Sequence, residues 1–152
     1  MNLNKVITSE TIIKHQMKNI LILGTMLLMF SFAKAQTIQS SNYNTTGYIK
    51  SDGRIQNSSY NTVGYIKNDG KIQNSQYTTI GYIKSDGTIQ DSSYKTVGYV
   101  KNDGKVQNSS YNTIGYIKDD GTVQNSSYKT IGYAKGINKK WAAVTFFFFQ
   151  FN

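Results

Sequence analysis

The residues with chemistry to offer are few, and they recur. Twelve tyrosines, five Asp-Gly pairs and a column of lysines return at a fixed interval along a chain of 152 residues. One tyrosine column is Tyr48, Tyr65, Tyr82, Tyr99, Tyr116 and Tyr133; the other is Tyr43, Tyr60, Tyr77, Tyr94, Tyr111 and Tyr128. A tyrosine joins a flat apolar body to a polar tip. Spaced rings on a surface suit sugar binding, with Gln and Asn supplying hydrogen bonds. The plainer alternative is that the rings pack between neighbouring hairpins. The Tyr48 column is the candidate ligand site, and it is the only set of site residues the sequence nominates.

The other recurring groups read as structure. Asp52, Asp69, Asp86, Asp103 and Asp120 each precede a glycine, where Asp is the expected turn residue. Acid–base work by pairs of them would lack a His or Glu partner. Calcium suits Asp and Asn oxygens, yet only Asp119-Asp120 doubles the charge. Lys50, Lys67, Lys84, Lys101, Lys118 and Lys135 make a basic rim with Arg54, Lys71 and Lys105. Such a rim attracts anionic partners, but edge lysines that discourage sheet-to-sheet aggregation are the simpler reading.

Composition removes several classes. The chain has no Cys and one histidine, His15, so disulfides, thiolate zinc sites and thiol nucleophiles are excluded. No nucleophile–base pair or phosphate-binding loop is present. We therefore expect no enzyme, no catalytic residue, no metal and no cofactor. The formal net charge is +9.

The elements that must position the tyrosines follow from the repeat, GYIKxDGxIQNSSYxTI, 17 residues long. Five complete copies run over 47–131. Residues 37–46 match the end of a unit and 132–135 its start, so a sixth unit is split between the two ends. Splitting of this kind is how circular repeats close, although an open solenoid could also begin and end mid-unit. Each unit reads as a β-hairpin with Asp-Gly at its turn. Counting outward from the second turn, Ile66 faces Ile72 and Tyr65 faces Gln73. These pairs fall on opposite faces, because strand side chains alternate. Lys67 faces Lys71, a like-charged pair expected to splay into water. The Asn-Ser-Ser stretch reads as the connection to the next hairpin. Three aliphatic columns, through Val63, Ile66 and Ile72, are too few for one hairpin to stand alone, so the hairpins must share a core.

The two ends depart from the repeat. Residues 18–35 have the order of a secretory signal: a lysine, an apolar run over 20–32, and Ala33-Lys34-Ala35 before Gln36. The apolar run is shorter than the roughly 20 residues of a spanning helix. Residues 1–16 sit awkwardly before it, and Met17 would make a normal start. We expect 1–35 to be removed and 36–152 to form one exported repeat domain, without a transmembrane segment. At the other end Trp141-Ala-Ala-Val-Thr-Phe-Phe-Phe-Phe-Gln-Phe151 is apolar on both sides. It reads as one strand, 141–151, buried on both faces and packed into the array as a plug or brace. The alternative is a terminal signal for outer-membrane barrel assembly, for which the repeat strands are too short and polar.

With this repeat, the signal segment and the terminal WAAVTFFFF, the chain resembles the five-fold beta-flower proteins. These are small exported proteins of Bacteroidetes-type bacteria. The resemblance covers Thr37 to about Phe149. It implies five hairpins arranged as petals about a pseudo-five-fold axis; the terminal half-units either complete the ring or pack beneath it. It implies no activity and no site residue.

The functional expectation is a non-enzymatic, exported, monomeric β-repeat module binding a carbohydrate or another cell-envelope component, not nucleic acid. It would work in the periplasm, at the outer surface or outside the cell. The alternative is a self-assembling, functional-amyloid-like surface protein, since stacked Asn and Gln ladders favour cross-β order.

Overall fold

The computed structural model describes residues 12–18 and 36–151. The chain divides into two compact units, 1–34 and 35–152. In the first, 12–18 is a short exposed helix. The apolar core and cleavage site of the expected signal lie outside the described residues. Among those described, no helix is long and apolar enough to cross a membrane.

The second unit is a closed antiparallel barrel of twelve short strands. It begins β1 (Thr37–Ser40), β2 (Thr45–Ile49), β3 (Arg54–Asn57) and β4 (Thr62–Ile66). The same pair then recurs with the repeat, ending in β11 (Thr122–Asn125) and β12 (Thr130–Ala134). The hairpin register is the one counted from the turn: Tyr65 opposite Gln73 and Ile66 opposite Ile72. The split unit closes the ring, with Ile38 opposite Ala134 and Gln39 opposite Tyr133 across β1 and β12. Closure leaves no strand edge unpaired. The ring therefore holds six units and not the five petals that the resemblance implied.

Each unit has two turns of the same build. At the Asp-Gly end, Lys50 N–H donates to Arg54 C=O (2.9 Å) and Gly53 N–H to Lys50 C=O (2.9 Å), with Gly53 at φ 83°. At the Asn-Ser-Ser end, Asn57 N–H donates to Asn61 C=O (3.0 Å) and Tyr60 N–H to Asn57 C=O (3.0 Å), with Tyr60 at φ 64°. Both are type I turns closed by a left-handed residue. Side chains lock them: Asp52 accepts from Arg54 N–H at 3.0 Å, and Asn57 from Ser59 and Asn61 N–H, both at 3.0 Å. The aspartates are turn residues, as their position indicated. Lys67 and Lys71 do not splay idly. Lys71 pairs with Asp69 at 2.9 Å, and Lys67 lies over the Tyr65 ring, 4.6 Å from its centroid.

A bulge fits the pattern to the barrel. Between β3 and β4, Ile55 faces Gly64 and Gln56 faces Thr62, leaving Val63 as the extra residue. Val63, Gly64 and Ile66 are all buried, while Tyr65 points outward and is half-buried. The aliphatic columns thus form one core: Ile49, Ile66, Ile72, Ile89, Ile117 and their valine equivalents are all within 3% of full burial.

The tail is not a strand. Lys139–Ala143 is an α-helix that widens into a π-helical turn over Val144–Phe148 and becomes extended at Phe149. The two-sided apolar run misled the sequence reading. A strand in the lumen would find no edge to pair with, because the barrel is closed. A helix satisfies its own backbone groups. Asn138 caps it, accepting from Lys140 N–H at 2.9 Å. Ala142, Ala143 and Val144 are fully buried within the shared core. Small residues let the helix backbone fit inside the ring of isoleucines. Lys139 anchors the entrance at the Asp-Gly rim, 2.6 Å from Asp119. The tail does pack into the array, as a helical plug.

The plug explains the glycine of five of the six Gly-Tyr pairs. A methyl group at Gly64, Gly81, Gly98, Gly115 or Gly132 would strike the ring of Phe151, Phe149, Phe148, Phe147 or Phe146 respectively. The five phenylalanines fan round the lumen, one to each glycine. Each glycine is also held close under the carbonyl of the neighbouring strand, as Gly115 is under Gln124.

Candidate functional site: a belt of stacked tyrosines

The bulge and the register send Tyr48 outward from β2, opposite Gln56 on β3. The turn after β3 then carries Tyr60 back over it. The two rings stack at 4.6 Å between centroids and 12° between planes, and Tyr48 Oη donates to Tyr60 Oη at 3.0 Å. The arrangement repeats as Tyr65/Tyr77, Tyr82/Tyr94, Tyr99/Tyr111 and Tyr116/Tyr128. Tyr43/Tyr133 joins the two ends of the chain at 4.5 Å and completes the sixth pair. All twelve tyrosines are used.

The Tyr48 column, nominated from sequence, is the half-buried inner ring of each stack. The more exposed partner, which sequence reading did not separate from it, is the Tyr60 column, 60–65% exposed. Neither column enters the core. The exposed column also carries backbone strain: its six tyrosines have φ between 62° and 64°. A left-handed residue with a side chain costs roughly 1–2 kcal/mol, and glycine fills the equivalent place in the opposite turn. The ring is thus kept at a position that turn chemistry alone would give to Gly or Asn. Strain of this kind gathers at working sites. The signal was present in the sequence, since the two turns have equal length and tyrosine stands where glycine does.

Polar groups frame each stack. Gln56 Nε2 donates to Tyr60 C=O at 2.7 Å, and every unit repeats the bond. The hydrogen bond that Tyr48 donates to Tyr60 raises the Tyr48 hydroxyl above its ordinary pKa, and the inner tyrosine of each other pair is raised by its own partner. Lysines lean over the inner rings at Tyr48, Tyr65, Tyr99 and Tyr133. The belt meets a groove of about 920 Å³ between two Asp-Gly turns, where Tyr82, Tyr94 and Gln90 face Lys67, Lys140 and Trp141. Among the described residues, no group of His, Cys, Asp or Glu is placed to hold a metal ion.

A closed barrel of repeated hairpins, plugged by its own C-terminal helix and belted with tyrosine pairs, defines a circular β-repeat protein. The chain belongs to the 5-fold beta-flower protein family, whose sequence model matches residues 35–150. No curated protein and no solved structure matches it.

Proposed function

We propose that this protein is an exported, non-enzymatic binding module whose tyrosine belt takes carbohydrate of the cell envelope. The observation that carries the reading is the set of six outward-facing tyrosine stacks, each holding its outer ring in a strained backbone conformation. Flat rings with hydroxyl tips receive the apolar face of a sugar, and the neighbouring Gln and Lys side chains supply hydrogen bonds to its hydroxyls. The groove beside Tyr82 and Tyr94 has room for part of an extended glycan. Six equivalent sites on one ring favour a repetitive polymer, because linked weak contacts raise the effective concentration at each next site. The secretory pattern read in residues 18–35 supports an exported location. Self-assembly into fibres is the weaker reading, since a closed barrel offers no strand edge for addition.

A broad glycan array tests the proposal. Retention of wild-type protein on at least one polysaccharide class is expected. Its absence across the array would remove carbohydrate as the ligand class.

A further inference from the structure

The six-fold pattern is broken in one place inside the barrel. Five of the six Gly-Tyr glycines each have a phenylalanine ring of the plug against them, but Gly47 differs: the three atoms nearest a methyl group there are backbone atoms of Gln56 and Asn57. Two residue changes accompany the gap. The plug has Thr145 immediately before Phe146, and the first unit has Thr46 where the others have Val63, Ile80, Val97, Ile114 and Ile131. The result is a partly open cavity of about 270 Å³ at Gly47, lined by Ile38, Thr46, Ile55, Val63 and Thr145 and flanked by the plug's Phe149, Gln150 and Phe151. A dry cavity of about 150 Å³ suffices for benzene.

We infer that this cavity binds a small single-ring aromatic compound. The five occupied positions show what the sixth accepts, namely a phenyl ring laid against a glycine and the carbonyl edge of the next strand. Ile38, Ile55, Val63, Phe149 and Phe151 supply the apolar walls. The two threonines add polarity beside Gln56, Asn57 and Gln150 on the same lining. Thr46 Oγ1 already donates to Ile38 C=O at 3.2 Å, and Thr145 Oγ1 to Ala142 C=O at 3.0 Å. Each keeps an oxygen lone pair for a donor on the ligand, so phenol fits better than toluene. The site is separate from the tyrosine belt, which lies on the outer surface.

The test is methyl and amide NMR of the full chain titrated with phenol, toluene and cyclohexanol. Saturable shifts are expected at Ile38, Ile55, Val63 and Gly47, strongest with phenol and weakest with cyclohexanol. Thr145→Phe supplies the missing ring and is expected to weaken phenol binding at least tenfold. Thr46→Ile narrows the same cavity and serves if the first variant fails to fold. Phe147→Ala opens a second slot, and new shifts are expected around Gly115. Two results overturn the inference. One is phenol binding that survives Thr145→Phe and maps to the tyrosines. The other is no binding to wild type while Phe147→Ala does bind, which would mean that the Gly47 slot is already filled by another segment or a second copy of the chain.

Discussion

Tyr60 takes a left-handed backbone conformation, φ 64°, and thereby lays its ring 4.6 Å from that of Tyr48, twelve residues earlier. The opposite turn of the same hairpin reaches the same backbone shape with Gly53. Stack and strain are therefore coupled at every unit, and substitutions can separate them. Tyr60→Gly removes the ring and relieves the backbone; the lost stack, about 0.5–1.5 kcal/mol, and the gained freedom nearly cancel. Tyr60→Ala loses the stack and keeps the strain, and is expected to destabilise by about 1 kcal/mol. Urea denaturation of both variants checks this, with the glycine variant the more stable.

The pairing of glycine and phenylalanine in the lumen gives a second expectation. Gly115→Ala places a methyl group against both the Phe147 ring and the Gln124 carbonyl. Overpacking of this kind costs about 1–3 kcal/mol. Phe147→Ala leaves a void instead and costs about 3 kcal/mol. Because the Gln124 carbonyl remains, the double variant is expected to stay less stable than Phe147→Ala alone. Thermal unfolding of the three proteins gives the comparison.

Alkali should loosen the belt. The inner tyrosines have folded-state pKa values raised above 10.0 by their partners' hydroxyls. A raised value means that the bond contributes fully below the unfolded value and is lost as pH rises through the folded one. Absorbance at 295 nm should show part of the tyrosines of the folded protein ionising at higher pH than those of the urea-unfolded chain. Coincident curves would deny the hydroxyl bonds.

Acid should act on the turns with the opposite sign. Asp52 is lowered chiefly by Arg54 N–H, Asp69 by the Lys71 side chain, and Asp86 and Asp120 by the N–H groups of Thr88 and Thr122. Their contribution is present above the ordinary carboxylate value and fades as pH falls through the lowered ones. These groups are exposed, so each effect is small. A gradual fall in melting temperature below about pH 4 is expected, shallower in Asp69→Asn.

Much of this architecture was legible in the sequence. Asp-Gly pins the hairpin register, so Ile66/Ile72 and Tyr65/Gln73 could be counted from the turn. The half-units at the ends were compatible with closure or with an open solenoid, the family resemblance suggested five petals, and only the β1–β12 pairing decides for a closed ring of six. The tail was read correctly as a plug and wrongly as a strand. Its secondary structure depends on whether an edge is free, and closure decides that, not local pattern. The glycine of Gly-Tyr had no explanation until the phenylalanines stood against it. The tyrosine columns were visible, but which ring lies outside depends on the left-handed turn.

The most direct test of the belt as a glycan site is a comparison on the same array of wild type and a variant with Tyr43, Tyr60, Tyr77, Tyr94, Tyr111 and Tyr128 all changed to glycine. The turns accept glycine, so the barrel should persist by circular dichroism. The account predicts retention of wild type and its loss in the variant. Equal retention of both proteins would contradict it and move the binding surface away from the tyrosines.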